Sequence, residues 1–276
     1  MPTLKIFCAG SIRKALERLA ESFSLSSPDV SFLFTAGGSV ELARDLLSGK
    51  EWGDLFFSAD HSLLSRWFLD PERVTLVEPL VANSKVLAFP RESAYRGRLA
   101  EDDWFRLLQE PGVALGHSAP DNDPGGYRTI MVLQLAEIFY GEPGLFDRVW
   151  GNPSRFVLPP LTTHAMVDRF HDEGLIDFMI RYRSSIQGER YGFVELPREI
   201  NLGDPAMAEF YARACAEIRG RNGKPMKIPG EPILYGVALL ADSPFPEEAR
   251  VFLDHAFSVE GGRIFREYGF DVLNRA

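Results

Sequence analysis

Phe7-Cys8-Ala9-Gly10-Ser11 closes an apolar run that starts at Leu4, and from Ile12 the spacing of apolar residues changes. Ile12, Ala15, Leu16, Leu19 and Phe23 fall on one helical face. Residues 4–8 therefore predict a strand, Gly10-Ser11 a turn, and the stretch beyond it an amphipathic helix. The unit recurs. Residues 30–35 are aromatic and β-branched, end in Ala36-Gly37-Gly38-Ser39, and lead into a helix through Val40, Ala43, Leu46 and Leu47. Residues 54–57 make a third strand, closed by Ser58-Ala59-Asp60. This alternation predicts an α/β fold with mixed, mostly parallel sheets and right-handed crossovers.

Farther along, strands are predicted at 86–89, 113–116, 175–182 and 233–240, with an extended stretch at 191–196. Helices are predicted through Ile130, Leu133, Ala136 and Tyr140, near 165–171, and at 247–258 and 262–268. Between the strand at 113–116 and its helix, His117-Ser118-Ala119-Pro120-Asp121-Asn122-Asp123-Pro124-Gly125-Gly126 is a loop by composition. No internal repeat is visible. Two segments, near 81–87 and 191–196, are placed to cross between lobes. They divide the chain into a discontinuous lobe, 1–82 with 197–276, and a continuous one, 83–196.

The 276 residues are 45% apolar and 25% charged, which is a globular composition. A net charge of −9 argues against nucleic-acid binding, which needs a basic face. It leaves room for a small anion, because a few aimed N–H groups outweigh a screened acidic surface. Cys8 and Cys215 form no disulfide framework, and both are expected as buried small hydrophobes. No apolar run is long enough to span a membrane, so attachment is peripheral at most. The chain enters its first strand without a signal peptide. An intracellular protein and one whose leader was removed both stay open.

Phosphate-loop, dinucleotide, nucleophile-elbow and zinc-protease motifs are all missing from the sequence. His164 and His171, seven apart, can share a helix face, but no cysteine or carboxylate cluster joins them at ligand spacing. The expectation is a chain without metal cation or cofactor, and not an enzyme. What remains is turn chemistry. Gly10-Ser11 and Gly38-Ser39 each stand between a strand end and a helix start. A serine there is expected to cap the helix. It also places a hydroxyl beside unpaired N–H groups at the positive end of the helix, where anions bind. Asp123 reads as the cap of the next helix, or as a carboxylate aimed into a cleft. By strand alternation Arg181 and Arg183 share one face and Tyr182 takes the other. Either a tyrosine hydroxyl or a guanidinium is thus available to an anion, or Tyr182 is buried between surface arginines.

Taken in order, these segments resemble the molybdate/tungstate-binding proteins of ABC transporters. The resemblance rests on Phe7-Cys8-Ala9-Gly10-Ser11, Ala36-Gly37-Gly38-Ser39-Val40-Glu41 and Asp54-Leu55-Phe56-Phe57-Ser58-Ala59-Asp60. It continues through Asp121-Asn122-Asp123-Pro124-Gly125-Gly126-Tyr127-Arg128, Tyr182-Arg183-Ser184, Leu196-Pro197-Arg198-Glu199-Ile200-Asn201-Leu202 and Tyr235-Gly236-Val237, to Ser258-Val259-Glu260-Gly261-Gly262. It implies a type II periplasmic-binding-protein fold, two α/β lobes closing on an oxyanion across two hinge crossings. It implies a periplasmic or extracytoplasmic monomer that binds molybdate or tungstate and delivers it to an ABC permease. Ser11, Ser39 and Tyr182 would give hydroxyls, Asp123 and the Gly125 backbone would come from the second lobe, and Thr163-His164-Ala165 would add an N–H. In this chain Gly125 replaces the family's Cys, and Arg181 replaces a Glu whose carboxylate expands the metal's coordination. An Arg can supply no oxygen ligand; it can pair with the anion or with Asp123. The expected ligand is therefore a four-coordinate anion. The alternatives are a receptor for another small anion such as sulfate, and a cytoplasmic ligand-binding domain of the same fold.

Overall fold

The computed structural model describes residues 1–68, 70, 72–99, 103–160, 162, 164–186 and 188–273, the His164 side chain excepted. The chain forms two compact units, Met1–Asn83 with Ile233–Ala276, and Ser84–Pro232.

The first unit opens with β1 (Thr3–Ala9), α1 (Arg13–Ser24), β2 (Ser31–Gly37), α2 (Ser39–Leu47), β3 (Leu55–Ser58), α3 (His61–Trp67) and β4 (Val74–Ala82). The second holds β5 (Lys85–Pro90), α4 (Trp104–Leu107), β6 (Leu115–His117), α5 (Pro124–Tyr140), α6 (Leu145–Trp150), β7 (Phe156–Val157), α7 (His164–Asp172) and β8 (Phe178–Tyr182). It continues through β9 (Tyr191–Glu195), α8 (Ala208–Tyr211), β10 (Cys215–Arg219) and β11 (Pro225–Pro229). The chain then returns to the first unit as β12 (Leu234–Leu240), α9 (Pro246–Ala256), α10 (Val259–Glu267) and β13 (Asp271–Val272).

The first unit's sheet runs β13-β4-β12-β3-β1-β2. The strand–helix repeats near the N-terminus give parallel pairing of β1 with β2 and β3, as crossover helices require. The returning strand β12 lies antiparallel to both β3 and β4, so the sheet is mixed as expected, with its parallel pairing confined to β1, β2 and β3. Central β3 is buried along its whole length, which explains its continuous apolar run. The stripe Ile12, Ala15, Leu16, Leu19 and Phe23 is buried as the spacing predicts, and the Phe23 ring meets Phe32 and Phe252 edge-on at 5.9 and 5.4 Å.

The second unit's sheet runs β7-β6-β8-β5-β9 and is again mixed. β6 pairs in parallel with β7 and β8, while β5 is antiparallel to β8 and β9. Residues 197–232, which the sequence assigns to the first lobe, pack here instead. Lys85 N–H donates to Asn201 O at 2.8 Å, Cys215 N–H to the Gln134 side chain at 2.8 Å, and Arg219 N–H to Asp121 Oδ1 at 2.6 Å. The return falls at Ile233, whose carbonyl accepts from Asn83 N–H at 3.2 Å. Cys8 is buried, but Cys215 on the β10–β11 ribbon is exposed, against the expectation for it. Among the described residues no helix is long and apolar enough to cross a membrane.

Candidate functional site

In the first unit neither serine caps its helix. Ile12 holds the N-cap position of α1 and Gly38 that of α2, and neither helix start has a side-chain cap. Ser11 lies before the cap, and its hydroxyl is 2.6 Å from the Tyr235 hydroxyl. Tyr235 OH also accepts from Asn83 Nδ2 at 3.3 Å. Its own proton can therefore go to the Ser11 oxygen, and Ser11 then keeps its single proton to donate. Ser39 is the first residue of α2 and fully buried; its oxygen accepts from Ala59 N–H at 3.0 Å. That bond uses a lone pair and leaves the Ser39 proton to donate. Leu42 N–H is the first in α2 to reach a carbonyl, Gly38 O at 3.0 Å. The N–H groups ahead of it lie beyond the helix's own carbonyls.

In the second unit Asp123 is the N-cap of α5, followed by Pro124 in the first turn, where a missing N–H does no harm. Its Oδ1 accepts from Gly125 N–H at 3.1 Å and its Oδ2 from Ser118 Oγ at 2.7 Å. Both carboxylate oxygens thus have protein donors. The Gly125 N–H expected at the ligand is directed to Asp123 instead. Gly126 must lack a side chain, because a Cβ there would lie 2.2 Å from Ser118 O.

The Ser118 end of the loop is anchored by His117. Arg155 Nη1 lies 2.7 Å from His117 Nε2, and a guanidinium can only donate. Nε2 therefore accepts, the proton sits on Nδ1, and Nδ1–H donates to Ser118 O at 2.8 Å. Burial pulls the His117 pKa down to about 4, with the Ser118 bond opposing and Arg155 adding to the shift.

β8 ends at Tyr182 and the chain turns through Arg183–Ser185, so strand alternation decides the faces. Tyr182 is buried and accepts from Arg128 Nη1 of α5 at 2.8 Å. Arg181 takes the other face. Its guanidinium lies 5.2 Å from the centre of the Tyr191 ring, with Asp168 of α7 as its acidic neighbour. The pairing with Asp123 that its charge allowed is not formed. Arg183, on the same face, pairs with Glu195 at 3.0 Å.

Of the residues singled out in sequence, Asp123, Gly125 and Tyr182 come together with Arg128 at the start of α5. Ser11 and Ser39 each stand at a strand end of the first unit. His164 opens α7, but its side chain and Thr163 lie outside the described residues. Arg128, Lys85, His117 and Tyr235 were not singled out. Arg128 stands in the quoted Asp121–Arg128 motif, but its partner Tyr182 is 54 residues away. Among the described residues no group of three His, Cys, Asp or Glu side chains is placed to hold a metal ion. The first unit offers hydroxyls and helix-start N–H groups, and the second a guanidinium-backed phenol at a helix start; each is donor chemistry suited to an oxyanion.

A family model described as bacterial extracellular solute-binding protein matches residues 4–271. The molybdate/tungstate-binding protein WtpA of Thermococcus kodakarensis is 30% identical over 297 residues, 99% of this chain and 82% of its own. A solute-binding protein of Petrotoga mobilis is 28% identical over 271 residues, 98% of this chain and 83% of its own. Among solved structures, the sulfate-binding protein SubI from Mycobacterium tuberculosis has a TM-score of 0.71 at 13% identity, covering 99% of this chain and 88% of that one. The periplasmic molybdate-binding protein of Azotobacter vinelandii has a TM-score of 0.65 at 16% identity, covering 99% and 100%. These likenesses establish the type II periplasmic-binding-protein fold.

Proposed function

The chain belongs to the family of bacterial extracellular solute-binding proteins, and we propose that its solute is molybdate, tungstate or a related tetrahedral oxyanion delivered to an ABC importer. The observation that carries this reading is the match to the Thermococcus protein, which runs along nearly the whole chain. The donor chemistry supports it. Ser11 and Ser39 in the first unit, and Tyr182 with the α5 start in the second, are proposed as oxyanion contacts. Asp123 is proposed to hold that helix start in place. On this reading the protein is a carrier and not an enzyme, acts outside the cytoplasm as a monomer, and has the permease as its partner.

The anion is proposed to stay four-coordinate. The family resemblance expects a carboxylate at the position of Arg181, which can supply no oxygen ligand, and both Asp123 oxygens already accept from Ser118 and Gly125. A thermal-shift panel on ligand-stripped protein, with molybdate, tungstate, sulfate, phosphate and chromate, tests the solute. A ligand at about a thousandfold its dissociation constant adds roughly 4 kcal/mol, several degrees for a chain this long. A shift with molybdate or tungstate supports the reading, one with sulfate or phosphate alone transfers it to that anion, and no shift with any overturns it. X-ray absorption of the bound metal then separates four from six oxygen neighbours.

A further inference from the structure

Lys85 carries a buried ammonium that none of the proposed contacts uses. It opens β5 opposite Tyr182 in the β5–β8 register, and it is 1% exposed. Its Nζ lies 3.4 Å from the carbonyl oxygens of Gly125 and Ile180 and 3.9 Å from the centre of the Tyr182 ring. The titratable and charged groups around it are Asp123 and Arg128 from α5 and its cap, and Arg181 and Tyr182 from β8. Lys85 and Arg128 thus share this face with the Asp123 carboxylate, which already accepts from Ser118 and Gly125, while Arg181 acts on Lys85 from the other face of β8. Two carbonyls and a ring face solvate an ammonium only in part. A buried ammonium is costly, and a further negative charge brought beside it is favourable.

We propose that Lys85 is a positioning residue that sets the charge preference of the anion site: its ammonium favours a dianion held at Tyr182 and the α5 start, and it takes up a proton when that dianion binds. This rests on the oxyanion reading above. Burial foremost, then Arg128, pushes the Lys85 pKa down to about 7, with Asp123 opposing and Arg181 adding. A bound anion favours the charged form and raises that pKa. Above about pH 7 the free protein is therefore the less protonated state, binding consumes a proton, and affinity falls as pH rises.

Titration calorimetry with sulfate, molybdate and tungstate decides it, run at about pH 6 and about pH 8 in two buffers of different ionisation enthalpy. These anions remain dianions over that range, so the ligand contributes no proton. The expected result is uptake approaching about one proton per anion at the higher pH, little at the lower, and an affinity that falls by up to about tenfold per pH unit above neutrality. Lys85→Met keeps the apolar stem; it is expected to abolish the uptake, flatten the pH profile and weaken binding at about pH 6 by roughly tenfold or more. A purely structural role would not change the proton count. Wild-type binding with no proton uptake and no pH dependence overturns the proposal, whether or not the variant folds. Uptake that persists in Lys85→Met overturns it as well. No heat with any of the three anions overturns the oxyanion reading, and this inference falls with it.

Discussion

Arg128 Nη1 donates to the Tyr182 hydroxyl oxygen at 2.8 Å, with both side chains buried. A guanidinium has no acceptor, so in this bond the phenol oxygen accepts, and that polarises the hydroxyl as a donor. A hydroxyl polarised in this way suits an oxyanion. Tyr182→Phe is therefore expected to weaken oxyanion binding by about 1.5–3 kcal/mol, roughly ten- to a hundredfold, the range for a hydrogen bond to a charged group. Calorimetry on the folded variant measures it. Unchanged affinity would remove Tyr182 from the contacts.

Ser39→Ala removes a hydroxyl whose oxygen accepts from Ala59 N–H at 3.0 Å inside the first unit. Two losses are expected. The fold loses a buried hydrogen bond, about 1 kcal/mol or somewhat more, and the anion loses a donor, about 1–3 kcal/mol of affinity. Urea unfolding of the ligand-free variant isolates the first loss, and titration of the anion measures the second. A stability loss with full affinity would mean that Ser39 serves only Ala59.

The contrast between these two sites explains what a sequence can carry. Asp123-Pro124-Gly125-Gly126 is legible because capping is local. The acceptor, the ring that needs no N–H and the small residues all stand within one helical turn, and the structure places them as that grammar requires. The opposite faces of Arg181 and Tyr182 are legible for the same reason, since a strand alternates. Arg128 with Tyr182, Lys85 with Gly125, and Arg155 with His117 join residues on different elements, and no local pattern announces them. The serines mislead because Gly-Ser before a helix reads as a cap, whereas Tyr235 and the Ala59 N–H, both distant in sequence, hold their hydroxyls. The unit boundary is missed on the same ground: residues 197–232 look like a return to the first unit until their bonds to Lys85, Asp121 and Gln134 are known.

Gly126→Ala is expected to be far worse than Gly125→Ala. A Cβ on Gly126 would lie 2.2 Å from Ser118 O and 2.8 Å from Pro120 N, both backbone atoms, so the loop or the helix start must shift. A Cβ on Gly125 would meet side-chain atoms, Asp123 Oδ2 at 2.9 Å and Ser118 Oγ at 3.2 Å. Overpacking costs about 1–3 kcal/mol, and displacing the α5 start should lower anion affinity too. Thermal unfolding and anion titration of the two variants check both effects. Equal stabilities would show that the loop yields to Gly126→Ala at no cost.

Acid should weaken the protein through His117 before it protonates most carboxylates. Its folded pKa is about 4 against an ordinary value of 6.5, so between those values the unfolded chain binds more protons than the folded one. Stability is therefore fully present above about pH 6.5 and is lost as pH falls toward about 4. His171, also pushed down to about 4 by burial, acts in the same direction. Together they are expected to remove on the order of a few kcal/mol. His117 adds a specific consequence. A proton on Nε2 would set two cations 2.7 Å apart, Arg155 would lose its acceptor, and the imidazole that anchors Ser118 would be displaced. Ser118 in turn donates to Asp123, the cap of α5. Urea unfolding across this window should show a falling free energy, and an NMR titration of the His117 ring should stay in the neutral form down to about pH 5. A His117 midpoint near 6.5 in the folded protein would contradict the neutral tautomer assigned from Arg155.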